Sequence, residues 1–311
     1  MIQCFKKVGK DKFLKEVTDY SKDSWVNVID PNEKEIDSLV KELDLNRDLI
    51  KDGLDPYENP RLEEEDNNLY IFLREPNADN LQGGKATVEP TNSFLFIVAP
   101  KTIITISKTD SGIFKQLSTS PQFYTDKKIR CLLMTLSLVS TNFGNTVKRI
   151  LRLVKSGKTN LSKLSEKDIE TLVLQEDILN DYLSSFALLI NVHHQLSKIK
   201  TLKLLEGERE FIEDLVVDLN QTYNICKTVL RTITTMRDYY SATLTNSLNK
   251  TIRVLTVFTV FLTIPAVLSS FYGMNIALPF QGNPRIFDYL IFLVLGLWAF
   301  LFLVFKKRNI L

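Results

Sequence analysis

Residues 253–308 read RVLTVFTVFLTIPAVLSSFYGMNIALPFQGNPRIFDYLIFLVLGLWAFLFLVFKKR, and this stretch decides the fold. No Lys, Arg, Asp or Glu occurs from Val254 to Pro284, and none from Tyr289 to Phe305. Each run is near the roughly 20 apolar residues that a helix needs to cross a hydrocarbon core. Two spans are therefore expected, at 251–271 and 287–305. Between them lies a short polar loop, 272–286, that opens with Gly273, Met274 and Asn275.

Charge orients the hairpin. The loop carries one cation, Arg285, whereas Lys250 and Arg253 precede the first span and Lys306, Lys307 and Arg308 follow the second. Cationic flanks stay on the cytoplasmic side, which places both termini inside, the loop outside and the tail 306–311 in the cytosol. The expected location is the inner or plasma membrane, as a multi-pass protein.

Roughly 250 of the 311 residues precede the first span, enough for a sizeable soluble part. The net charge of +2 gives no reason to expect a nucleic-acid partner. The start, Met1 to Lys7, lacks the apolar core of a cleaved signal. Cys4, Cys131 and Cys226 are far apart, as buried or idle thiols in a reducing compartment would be. The chain shows neither a phosphate-binding Gly-rich loop nor a Ser-His-Asp or Cys-His pattern, so an enzyme is not expected. His193 and His194 are adjacent, cannot share a metal on one helix face, and are expected on a solvated surface. Glu63 to Asp66 reads as a solvated turn.

Residues 1–125 read as α/β. Trp25–Ile29, Leu69–Leu73, Phe94–Val98 and Thr102–Ile106 are strand candidates, the last two a hairpin about Ala99-Pro100-Lys101. A helix follows Asp30-Pro31 with Ile36, Leu39, Val40 and Leu43 at helical spacing, and Pro76 to Gly84 reads as a loop broken at Gly83-Gly84. From 126 to 250 the pattern is helical and free of proline. Its last helix begins near Glu206 and meets no breaker before the membrane, so one helix of on the order of 100 Å is expected. Between Thr234 and Lys250 its apolar spacing thins to Thr, Ser and Asn, the composition of a solvated wall.

Two spans cannot enclose a pore unaided, so a channel needs several copies. Steps of three or four from Asn249 pass Ile252, Leu255 or Thr256, Thr259, Thr263 and Ser270 before Asn275. Such a face can line water. The same hydroxyls can instead bond back to the carbonyl four residues earlier, and spacing leaves both readings open. Gly273 permits backbone geometry closed to other residues. Asn275 offers an uncharged amide, suited to a cation that keeps its water, as Mg2+ does.

Gly273-Met274-Asn275 after a long helix, preceded by Tyr272 and followed by a second span and a basic tail, resembles the CorA family of magnesium transporters. Asp52 to Pro56, Pro60-Arg61, Tyr70 to Leu73 and the approach Asn249…Arg253-Val254-Leu255-Thr256 are similar as well, so the likeness covers the full length. The resemblance implies a homopentameric, funnel-shaped channel with an α/β cytosolic domain, long helices and two transmembrane helices. It implies passive uptake of Mg2+, with Co2+ or Ni2+ as further cargo, in contact with membrane lipid. Gly273, Met274 and Asn275 would form the selectivity filter, and Asn249, Ile252, Leu255, Thr256, Thr259, Thr263 and Ser270 the pore wall.

The resemblance further implies gating by Mg2+ bound between neighbouring cytosolic domains. An ungapped count back from Asn275 puts Asp214 where the family's long helix carries a regulatory acid of that metal site, and Asp52 falls where the α/β domain carries its partner. The residues alone read equally as solvated acids, although Glu206, Glu208, Glu210, Glu213, Asp214 and Asp218 crowd one segment. Two departures from the family are visible: the loop holds no carboxylate before Asp288, and Lys51 stands where an acid is common. A divalent ion entering through 100 mV gains roughly 4.6 kcal/mol, which suffices for passive uptake. The alternatives are a zinc or other transition-metal transporter of the same superfamily, against which Met274 argues, and a membrane-anchored scaffold or sensor without flux.

Overall fold

The computed structural model describes residues 1–9, 11, 13–77, 90–158, 165–276, 278–279 and 282–308. Gly83 and Gly84 lie outside them. The chain divides into two compact units, Met1–Met236 and Arg237–Leu311.

The first unit is built on a seven-stranded sheet. Its strands are β1 (Ile2–Lys6), β2 (Lys15–Val17), β3 (Ser24–Ile29), β4 (Arg61–Glu65), β5 (Asn68–Pro76), β6 (Thr91–Val98) and β7 (Ile103–Ser107), in the order β2-β1-β3-β7-β6-β5-β4. Among the described residues only the β3–β7 pair is parallel. Both faces of the sheet are covered, which is why β5 reads as an unbroken apolar run and shows no alternation in sequence. Tyr70 and Phe72 join Leu95, Ile97, Ile104 and Ile106 on one face, under α1 (Glu33–Leu43) and α2 (Arg47–Gly53). Leu69, Ile71 and Leu73 join Trp25, Phe94, Phe96 and Ile103 on the other. That second face lies in one core with α3 (Gly112–Thr119), α4 (Lys128–Lys158), α5 (Glu166–Lys198) and residues Ile212 to Met236 of α6 (Glu206–Tyr272). The stretches on either side of residue 125 therefore share one core.

Helix starts follow local chemistry. Asn32 and Glu35 form a reciprocal capping box at α1, Asn46 accepts from the Asp48 and Leu49 amides at α2, and Ser165 and Asp168 repeat the box at α5. Asp44 closes α1 in the left-handed conformation (φ 54°).

Two local expectations need correction. The acids Glu63–Glu65 belong to strand β4, and the turn is Asp66-Asn67, whose φ values of 48° and 62° match a two-residue hairpin turn. Alternate residues of an edge strand face water, so an acidic run is compatible with it. His193 is fully buried, not solvated. Its Nδ1 lies 2.7 Å from the Leu189 carbonyl oxygen, and burial pushes its pKa down to about 4. His194, one position around the helix, is exposed. The three cysteines are free and buried. Burial pushes the thiols of Cys131 and Cys226 up to about 12, which keeps them protonated and unreactive.

Gly53 seats α2 on the sheet. A Cβ there would lie 2.7 Å from the Leu95 Cβ, a contact that only backbone movement can relieve. Gly53→Ala is expected to cost about 1–3 kcal/mol of stability, read as a lowered melting midpoint of the full-length chain in detergent; an unchanged midpoint would contradict this packing. Glu75, at the end of β5, is nearly fully buried. Burial raises its carboxyl pKa to about 7, and Asp110 adds to the rise, against hydrogen bonds from Ser111 and the Ile113 amide. Between its ordinary value of 4.5 and about 7 the folded chain holds the extra proton, so this group's contribution to stability declines as pH rises through that window. Glu75→Gln should flatten the pH dependence of the melting midpoint over that range.

Candidate functional site

Within the second unit, α6 runs on to Tyr272 and α7 spans Ile286–Lys307. Both helices are long and apolar enough to cross a membrane. Every residue from Ser241 to Lys250 is exposed, in keeping with the thinning of the apolar pattern there. Asn249, Ile252, Leu255, Thr256, Thr259, Thr263 and Ser270 are all exposed too. At 3.6 residues per turn these seven fall within an arc of about 120°.

The opposite side of α6 meets α7. The Phe261 ring packs on Trp298 at 5.9 Å and on Phe305 at 6.3 Å between centroids, and Val257 is buried. Phe261 lies about 180° around the helix from the middle of the seven-residue arc. The candidate face is thus turned away from the chain's own second span, although Thr259 and Thr263 also edge an apolar groove that reaches Leu297.

The threonine hydroxyls on this face are engaged. Thr256 Oγ1 donates to the Ile252 carbonyl at 2.9 Å, Thr259 Oγ1 to Leu255 at 2.9 Å and Thr263 Oγ1 to Thr259 at 2.7 Å. The back-bonding reading therefore holds for these three. It uses the hydroxyl proton and leaves oxygen lone pairs, which are acceptors, on the exposed face.

At its C-terminal end the helix unwinds over Gly273, Met274 and Asn275. The Gly273 amide still donates to the Ser269 carbonyl at 2.9 Å, and the Met274 amide to Phe271 at 3.2 Å. Gly273 is not in the left-handed region. A Cβ at this position would sit 3.1 Å from the Ser269 carbonyl oxygen, a close contact. Asn275 is exposed just beyond this last turn. Tyr272 Oη donates to the Pro279 carbonyl at 3.4 Å, a bond between the helix end and the loop. Asn283 Oδ1 accepts from the Arg285 amide at 3.0 Å, and Asp288 occupies the first turn of α7, where the helix dipole favours an anion. Ala277, Phe280 and Gln281 of the loop lie outside the described residues, as do the last three residues of the tail.

The two acids expected to bind regulatory metal are placed differently. Asp52 sits in the last turn of α2, and its carboxylate accepts from Arg61 Nη2 at 2.7 Å. Arg61 also pairs with Glu58 and Glu63 and lies 3.8 Å from the centroid of the Phe72 ring. The resident partner of Asp52 is therefore a guanidinium from its own chain, which sequence spacing did not reveal. Lys51 pairs with Glu33 at 3.6 Å, away from that cluster. Asp214 is exposed on α6. Among the described residues of one chain, no three His, Cys, Asp or Glu side chains come together to hold a metal.

The family model described as CorA-like Mg2+ transporter protein matches residues 21–307. The cobalt/magnesium transport protein CorA of Methanocaldococcus jannaschii is 22% identical over 294 residues, covering 90% of this chain and 88% of its own. The complete structure of the CorA magnesium transporter from the same organism superposes with a TM-score of 0.81 at 18% identity, covering 99% of this chain and 98% of that one. The full-length CmaX protein gives 0.73 at 15% identity, covering 99% and 97%.

Proposed function

The chain belongs to the CorA-like Mg2+ transporter family, and from that premise we propose that it carries Mg2+ into the cell passively, driven by the membrane potential, through a channel built from several copies of itself. The observation that carries this reading is the position of Gly273-Met274-Asn275. The motif closes a 67-residue helix and precedes a second helix of spanning length, in a chain whose family match covers nearly its whole length. The name of the archaeal relative, a cobalt/magnesium transport protein, supports these two ions as cargo.

In this reading a ring of α6 helices, one from each of five copies, presents the Asn249–Ser270 face to water. A single hairpin leaves that face uncovered, and an exposed row of oxygen acceptors and small side chains is tolerable in a membrane when it lines a filled lumen. Asn275 from each copy forms an amide collar at the outer mouth. Neutral carbonyl oxygens order the water of a hydrated divalent ion without stripping it, and they hold the ion weakly enough for it to leave. Ile252 and Leu255 make the narrow apolar stretch nearest the cytosol. The process involves no covalent step and needs no bound nucleotide.

Gating rests on a second copy. Asp214 lies exposed among Glu206, Glu210 and Glu213, and repulsion within such a set is relieved by a divalent cation. We place internal Mg2+ between Asp214 of one chain and the α2 end of a neighbour, where Asp52 would have to share its carboxylate with Arg61. Bound ion favours the closed ring, and its loss releases the ring to open.

Full-length protein in liposomes should take up Mg2+ when the interior is made negative, and much less at zero potential. A correctly assembled sample with no potential-driven uptake would contradict the transport reading. Asn275→Ala should lower uptake by about tenfold or more, the scale of losing an oriented set of polar contacts. Asp214→Ala should leave uptake in place while weakening inhibition by internal Mg2+; unchanged inhibition removes Asp214 from the gate.

A further inference from the structure

Pro265 lies inside α6 and has no amide hydrogen. In an α-helix the amide of residue 265 would serve the carbonyl of residue 261. Phe261 O is therefore the one acceptor that this proline strips of its helical partner. Within hydrocarbon no water is present to replace that partner, so a bare carbonyl there is costly. The partner comes from the other span: Trp298 Nε1 donates to Phe261 O at 2.9 Å, with the two rings 5.9 Å apart and tilted by 56°. Tryptophan offers a donor and no acceptor, so it answers a lone carbonyl without introducing a further polar need.

The geometry points to Trp298 as a positioning residue for transport, which pins the proline site of the pore helix to the second span through the Phe261 carbonyl. This rests on the transport reading, because it assigns a task to the side of α6 that faces away from the candidate pore wall. A helix missing one backbone bond is locally free to bend. Phe261 lies between Thr259 and Thr263, so a bend there shifts Thr259 relative to Thr263 and to the filter residues. The donor from α7 removes that freedom and makes the two spans move as one piece. The pore face itself needs no cross-link, because the fixed point is on the opposite side of the same turn.

The test is a double-mutant cycle on the full-length chain, with Trp298→Phe, Pro265→Ala and the pair, together with Pro265→Leu as a second way to restore the amide. Each is measured both for melting midpoint in detergent and for Mg2+ uptake in liposomes. With Pro265 in place, losing the indole N–H should lower uptake about fivefold, the scale of one net hydrogen bond. It should also lower the midpoint by about 2–4 °C. In the Pro265→Ala and Pro265→Leu backgrounds the restored backbone amide serves Phe261 O, and Trp298→Phe should change both readings by less than half as much. An equal loss with and without the proline overturns the proposal, because the ring and not its hydrogen bond would then matter. A midpoint cycle that couples while uptake by Trp298→Phe equals wild type also overturns it, reducing the bond to a structural one. Should wild type itself move no Mg2+, the transport reading fails, and the positioning role fails with it. The midpoint cycle would still report on the bond separately.

Discussion

Hydrocarbon offers nothing to a backbone polar group, and the second unit is organised around that constraint. Its two runs without Lys, Arg, Asp or Glu can be buried in lipid only as helices, because only a helix satisfies its own amides and carbonyls along its length. Where proline breaks that self-sufficiency, at Phe261, the second span supplies the missing donor. Where the helix ends, at Gly273, the last amides still reach Ser269 and Phe271 before the chain turns to the loop. Met274 and Asn275 thus follow directly on the last turn of the long helix.

The same economy explains which face of α6 is left for function. Aromatic contacts with Trp298 and Phe305 occupy one side, and the row from Asn249 to Ser270 falls on the other. The row is exposed in one chain and carries hydroxyls that have already given their protons to the helix. Its oxygen acceptors find partners in water or in its own symmetry mates, and none in lipid. That is the physical reason for proposing several copies, and the family match supports the same reading.

Much of this was legible in the residues. The two spans, the long helix and the four central strands announce themselves through charge-free length or short apolar runs, signals that do not depend on distant partners. The short strands β1, β2 and β4 did not, because their apolar content is low and pairing across the sheet sets their conformation. His193 misled because burial is decided by which helix face meets the core, and α5 is covered on a wider face than its histidine pair suggested. Arg61 beside Asp52 depends on β4 being a strand, so no local pattern carries it. The bond from Trp298 to Phe261 was half visible: proline marks the orphaned carbonyl by simple counting, but the donor, 37 residues on, appears only once the helices are packed.

The central claim is that the exposed row on α6 closes on copies of itself. Native mass measurement of the purified chain released from lipid nanodiscs tests it most directly. The account predicts one dominant species of five chains, stable at the dilution of the measurement. A folded chain that remains single in the bilayer would contradict it, since one hairpin has no lumen to line.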